Sequence, residues 1–238
     1  MRNDVLAIEG TYNFRDLGEL RAGDRHTRTG LLFRSDSLAR LAASGQAQLQ
    51  ELGVTRVIDL RDDLERQIMP DALPAGIEFV AHPIFPSASA HVARQLDIFS
   101  LTDLIYAEHA DTLAAGVTML ADGGPTVFHC TAGKDRTGAI AALTLLALGV
   151  DRDDVLTNYE ASEAHLRGAW FDEHVAALRA HGVDVTPVVE QLVGASPAAA
   201  LDRTLTTVVE ARGGAFTYLR AAGVTEATFE RLNARFTE

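Results

Sequence analysis

The chain has 238 residues, 47% of them hydrophobic, a formal net charge of −12 and a single cysteine. That length and apolar content suit one α/β domain with lid elements rather than two domains. The acidic balance argues against nucleic acid or an anionic membrane as a general partner, and the lone thiol excludes an internal disulfide.

Met1 to Glu9 does not read as a signal peptide, and the longest apolar run, Ala139 to Leu148, is too short to span a bilayer. The chain therefore reads as soluble and cytoplasmic, with export by an unmarked route left open. Gly10 to Gly18 is loop-like, and Leu31 to Arg34 is expected to form a short buried strand. Ser35 and Asp36 offer a cap for the turn holding Leu38 and Leu41. Ser44 is expected to cap a helix through Leu49 to Leu52, closed by Gly53. Thr55 to Leu60 and Glu78 to Ile84 read as further strands, the first carrying Asp59 and Arg61 at its C-terminal end. Residues 85–100 break into Pro, Ser, Ala and His and form a candidate flap. Thr102 or Asp103 is expected to open a long helix to Leu120, stopped by Gly123-Gly124-Pro125. Thr126 to Phe128 is a fourth strand, and the apolar helical run Ala139 to Leu148 follows. Gly149 ends that helix and Asp151 caps the next. The remainder, about 151–238, reads as helical, with starts at Thr186-Pro187 and Thr225. Strands alternating with helices predict an α/β fold with a mostly parallel central sheet flanked by helices. Ligands of such sheets gather beyond the C-terminal strand ends, where the loops after Leu60, Ile84 and Phe128 converge.

One of those loops carries chemistry. His129-Cys130-Thr131-Ala132-Gly133-Lys134-Asp135-Arg136-Thr137-Gly138 leaves a strand and opens a helix. A helix N-terminus and successive loop amides, here those of Thr131, Ala132 and Gly133, suit a phosphate-like dianion. The same field favours a thiolate at Cys130. Five residues separate Cys130 from Arg136, a spacing that wraps the loop around three oxygens and returns a guanidinium to clamp two of them. Thr137 is placed to hydrogen-bond the sulfur and ease its departure. A nucleotide-binding loop needs G-x-x-x-x-G-K-[ST]; Phe128 stands where its first glycine belongs, and Asp135 follows the lysine. Lys134 is the only lysine among 21 basic residues, four positions after the only cysteine.

This loop resembles that of the cysteine-based phosphatases, in the lysine-bearing variant that phosphoinositide phosphatases also use. It is more closely similar to the atypical bacterial tyrosine phosphatases of the mycobacterial type. The similarity is supported by Asn13-Phe14-Arg15-Asp16, Leu32-Phe33-Arg34-Ser35, Asp59-Leu60-Arg61 with Glu65, and Tyr218-Leu219-Arg220-Ala221-Ala222-Gly223, and so runs across nearly the whole chain. The resemblance implies a phosphatase-type fold, a helical lid over a deep pocket, and activity on phosphotyrosine and in part on phosphoserine, phosphothreonine or phosphoinositides. The partner is then a phosphorylated protein or a phosphoinositide. No cofactor or metal is expected, because His, Asp and Glu show no clustered ligand spacing. One departure concerns the flap: Ser87 stands where the family places an aspartate, and the stretch before the long helix is shorter.

The expected reaction is in-line attack of Cys130 on phosphorus, giving a phosphocysteine that water hydrolyses. Arg136 and the loop amides stabilise the equatorial oxygens, Lys134 helps attract the negatively charged substrate, and His129 orients the loop. Asp135 is the first candidate for the general acid, unless it only braces the loop. Asp97, 33 residues before Cys130, is the second. Asp59 either holds a strand end, holds Arg136, or serves as the acid, and Glu65 contacts Arg136 or substrate. Arg15, Asp16 and Arg34 are expected to form a buried ion network around the loop, and His82 to be a packed strand histidine. The rival readings are a phosphoinositide or inositol phosphate phosphatase, a non-catalytic phosphate-binding module, and sulfur transfer through a persulfide.

Overall fold

The alternation of side chains along three short buried strands decides how the site is built. The structure, a computed structural model, describes residues 5–85 and 96–238. Its main sheet holds β1 (Arg15–Asp16), β4 (Leu32–Ser35), β5 (Arg56–Asp59), β6 (Glu78–Ala81) and β7 (Thr126–His129), in the order β1-β4-β7-β5-β6. Strands β2 (Arg21–Ala22) and β3 (Arg25–His26) form a separate hairpin. β4, β7, β5 and β6 run parallel, and β1 joins antiparallel at one edge. Because successive side chains point to opposite faces, Leu32, Ile58 and Phe128 fill one apolar cluster while Phe33, Val57 and Val127 fill the other. The same rule sends Arg15 and Arg34 to the first face and Asp59 and His129, which are register partners, to the second.

The helices in chain order are α1 (Ala43–Glu51), α2 (Asp63–Ile68), α3 (Ile98–Glu108), α4 (Ala110–Leu120), α5 (Asp135–Ala147), α6 (Arg152–Leu166), α7 (Ala169–Ala180), α8 (Pro187–Gly194), α9 (Ala198–Thr204), α10 (Gly214–Ala221) and α11 (Glu226–Phe236). α5 is buried along nearly its whole length, packed between the sheet and the helices α3, α4, α6 and α10. A helix enclosed on every side has no polar face, which is why its sequence is apolar all round. Thr186 and Thr225 accept from backbone amides three residues on and cap α8 and α11 as the sequence predicts.

Several boundaries differ from expectation: the strand expected to reach Ile84 ends at Ala81, and Ser37 rather than Ser35 or Asp36 caps the turn at Leu38. Ser44 lies inside α1, whose N-cap position is Ala42; the Ser44 hydroxyl bonds Glu9 instead. The helix expected from Thr102 or Asp103 begins earlier, at Ile98, because the Asp97 carboxylate accepts from Ser100 N at 2.8 Å. It is also two helices, broken at His109, whose φ of −120° and ψ of 28° are not helical. Most of the expected flap, Ser87 included, falls on residues 86–95, outside the described residues. Among the described residues, no helix is long and apolar enough to cross a membrane.

Candidate active site

The loop between β7 and α5 is held from behind, carbonyl by carbonyl. Leu60 N donates to His129 O (2.8 Å), and Ser37 N to Thr131 O (3.1 Å). His129 Nδ1 lies 3.1 Å from Cys130 O. Asn13 Nδ2 donates to Ala132 O (2.9 Å), Arg34 to Gly133 O (2.7 Å), and Gly138 N to Lys134 O (2.6 Å). Every carbonyl from His129 to Lys134 is thus engaged on the protein side. In a planar trans peptide the N–H points opposite to the C=O, so the loop amides face the other way, toward a shared concavity. Gly133 permits the tightest point: its φ is +70°, and a Cβ there would meet Ser35 O at 2.3 Å.

Cys130, 2% exposed, sits at the start of this loop, and Thr137 at the head of α5. The Thr137 hydroxyl is buried and has no hydrogen-bond partner among the described residues. Arg136 is held by Glu65 through two parallel bonds, 2.6 Å to Oε2 and 2.8 Å to Oε1. Glu65 also accepts from Thr131 Oγ1 (2.6 Å) and Asp62 N (3.0 Å), so four donors share one carboxylate. Burial alone would raise the Glu65 carboxyl, but the Arg136 bonds and charge outweigh it and hold the group at about 2. Arg136 moves the opposite way for the same reason: burial works against its charge, and Glu65 and Cys130 more than restore it.

Lys134 is buried, with Nζ 2.7 Å from Ala195 O, just past the end of α8, and 3.3 Å from Asp135 Oδ1. Asp135 lies in the first turn of α5, where an acidic side chain suits the positive helix end, and Tyr159 OH is 3.5 Å from its Oδ1. A depression of about 140 Å³ opens beside Thr131 and Glu65, walled by Tyr12, Arg40, Trp170 and His174. Trp170 and His174 place α7 at the rim of this depression, and Ala195 brings the end of α8 to Lys134.

Two buried arginine clusters brace the loop. On the first sheet face, Arg34 donates to Asn158 Oδ1 (2.7 Å) as well as to Gly133 O, and Arg15 to Ser162 Oγ (3.1 Å) and Asn158 O (3.2 Å). Burial pulls the Arg34 guanidinium down to about 10, although Cys130 and Tyr159 work to raise it. Arg15 falls well below its ordinary value through burial and the neighbouring Arg34 charge. Asp16 is not part of this network: its carboxylate accepts from Gly18 N and Gly30 N instead. The buried carboxylate near the loop is Asp36, which accepts from Tyr12 N and Asn13 N; burial raises it to about 6 against those bonds.

On the second face, Arg61 donates to Asp59 (2.7 Å), Asp71 (2.7 Å) and Ser37 Oγ (3.0 Å). His129 Nε2 lies 2.9 Å from Asp71 Oδ2. Asp59 therefore pairs with Arg61 and not with Arg136, and the Glu65 contact with Arg136 is present as expected. Asp59, Asp71 and His129 form a cluster of potential metal donors that the sequence spacing did not suggest. The cation lodged between its two carboxylates is the Arg61 guanidinium. His82, expected in a strand, lies just past the end of β6 and is half-buried, its Nε2 2.8 Å from Thr112 O. Asp97 is exposed and spent on capping α3.

A parallel sheet whose strand end launches an amide-lined, thiol-bearing loop into a buried helix is the architecture of a phosphate-handling α/β enzyme. Comparison with known proteins narrows the class. The chain belongs to the tyrosine phosphatase family, whose profile it matches over residues 6–238, and is thus an enzyme acting on phosphotyrosine. A candidate tyrosine-protein phosphatase of Cupriavidus necator is 36% identical, covering 91% of this chain and 83% of its own. The triple specificity protein phosphatase PtpB of Mycobacterium tuberculosis is 30% identical over 96% of this chain and 97% of its own. A crystal structure of P. aeruginosa TpbA aligns with 65% of this chain and 90% of its own at 22% identity and a TM-score of 0.33, too distant a likeness to inform the site.

Proposed function

We propose that the chain hydrolyses phosphomonoesters, phosphotyrosine first, through a phosphocysteine intermediate. The observation that carries this reading is the run of six braced carbonyls, which turns the loop amides toward one concavity with Cys130 at its start. An anion held there is placed for in-line attack by the thiolate. Arg136, aligned in advance by Glu65, and the amides of Thr131, Ala132 and Gly133 hold the equatorial oxygens as charge spreads over them. The sulfur is then the leaving group when water attacks, and the unpartnered Thr137 hydroxyl is available to hydrogen-bond it.

Asp135 is our choice for the general acid. It lies in the first turn of α5, partly exposed, with Lys134 Nζ 3.3 Å and Tyr159 OH 3.5 Å from its Oδ1. Asp97, exposed and committed to its cap, supports that choice by elimination. The reading extends to phosphoserine, phosphothreonine and phosphoinositides: one relative carries triple specificity in its name, and the loop carries Lys134 two positions before Arg136. We read residues 1–238 as a single phosphatase domain with α7 and α8 as its lid.

The test is hydrolysis of an aryl phosphate in the presence of a chelator. Cys130→Ser should abolish turnover, and Asp135→Asn should lower kcat by about 10²–10⁴ with loss of the basic limb of the pH profile. An active Cys130→Ser protein would overturn the mechanism, and an unchanged limb in Asp135→Asn would remove the acid assignment.

A further inference from the structure

The loop histidine is fully buried, and both of its ring nitrogens face acceptors. Nε2 is 2.9 Å from the Asp71 carboxylate and Nδ1 is 3.1 Å from the Cys130 carbonyl. Neither partner has a proton to give, since an ionised carboxylate and a backbone carbonyl only accept. A neutral imidazole could satisfy one of them and would leave a buried lone pair against the other. We propose that Asp71 holds His129 as an imidazolium directly behind the nucleophile, making Asp71 a positioning residue for the reaction. The proposal rests on the assignment of Cys130 as nucleophile.

Charge balance supports it independently. The groups facing His129 are Asp71, from the segment after α2; Asp59, at the end of β5, 3.9 Å from Nε2; and Arg61, just beyond that strand. Asp36, beyond β4, acts on it electrostatically from the other side. Asp59, Asp71 and Arg61, all buried, sum to one negative charge, and isolated buried charge is strongly disfavoured. A protonated His129 brings that cluster to zero. The consequence for chemistry is twofold. An N–H bond to the Cys130 carbonyl fixes the first peptide of the loop, and a positive charge one residue from the sulfur favours its thiolate.

The directions of the titrations agree. Burial would lower His129, but Asp71 and then Asp59 reverse it and the group is raised; Asp71 is lowered in return despite its own burial. The stability this lends is fully present below the unfolded histidine value and is lost as pH rises through the folded one.

The experiment uses histidine-labelled wild-type protein and Asp71→Asn, which keeps the shape and an acceptor but removes the charge. Nitrogen NMR of the wild type at pH 7.5 should show both His129 ring nitrogens protonated. In Asp71→Asn, the midpoint for alkylation of Cys130 by iodoacetamide should rise by about one pH unit, with kcat about tenfold lower below that midpoint and KM little changed. A neutral His129 in the wild-type spectrum overturns the proposal. So does an Asp71→Asn protein that melts earlier yet keeps its alkylation midpoint, which is what a merely structural aspartate would give. If the variant does not fold, the wild-type spectrum decides alone. Both readouts need no turnover, so their failure is distinct from failure of the nucleophile assignment, which Cys130→Ser tests.

Discussion

Arg34 and Arg61 lie under the same loop on opposite faces of one sheet, and they do different work. Arg61 sits between two carboxylates, and although burial opposes its charge, Asp59 and Asp71 raise it overall. Arg34 has no such partner among the described residues: it donates to a loop carbonyl and to Asn158, and burial leaves it depressed to about 10. On the Arg61 side the buried charges are paired with one another, through Asp59, Asp71 and His129. On the Arg34 side it is Cys130, rather than a bonded carboxylate, that most offsets burial of the charge, and an incoming dianion adds to that. A chain with net charge −12 thereby presents a positive site to its substrate without a basic surface.

The largest loss of stability is expected at Arg61. Arg61→Met leaves Asp59 and Asp71 buried without their cation and should cost about 3–5 kcal/mol in denaturant unfolding. Much of that loss should return when Asp59 and Asp71 are both changed to Asn. Arg34→Met removes a buried charge that has no ionic partner among the described residues, so about 1–3 kcal/mol should suffice, from the orphaned Gly133 and Asn158 acceptors. Its activity should fall much further, on the order of 10²-fold in kcat/KM, because the loop both shifts and loses potential. If Arg34→Met costs as much stability as Arg61→Met while activity holds, the division of labour is wrong.

Glu65→Gln sharpens the picture at the third arginine. The Glu65 carboxyl is held at about 2, so its contribution is present above the unfolded carboxylate value and is lost as pH falls toward 2. The variant should therefore be less stable by about 1 kcal/mol at neutral pH and should lose less stability than the wild type on acidification. Its kcat/KM should drop about tenfold as Arg136 loses its alignment. The smallest effect is expected at Asp97→Asn, since asparagine caps α3 as well as aspartate does. Melting temperature and the basic limb of the pH profile should both stay put.

The loop, its following helix and the Glu65–Arg136 pair were legible in the sequence because they are local or carried by motifs. A strand of four residues and a C-x5-R spacing need no tertiary information. The parallel sheet followed from the alternation of elements. What escaped was the support behind the loop. Asp71, Ser37, Asn158 and Ser162 lie tens of residues or more from Cys130, and nothing in Met69-Pro70-Asp71 marks that aspartate as different from a solvated one. The signal available was the face rule: Asp59 and His129 end neighbouring strands on the same side, so a buried charge partner was required there. The start of α3 was missed because Asp97 follows a stretch without helical periodicity, and its cap bond to Ser100 outweighs that. Asp16 misled by adjacency to Arg15, since neighbours on a strand face opposite ways.

The most direct test of the phosphatase mechanism is to trap the intermediate. Wild-type protein mixed with a phosphotyrosine substrate and quenched within the first turnover should carry one phosphate on Cys130, located by peptide mass spectrometry. Cys130→Ser should carry none on the same peptide and release no phosphate. Steady turnover without any phosphorylated Cys130, or turnover by Cys130→Ser, would contradict the mechanism outright.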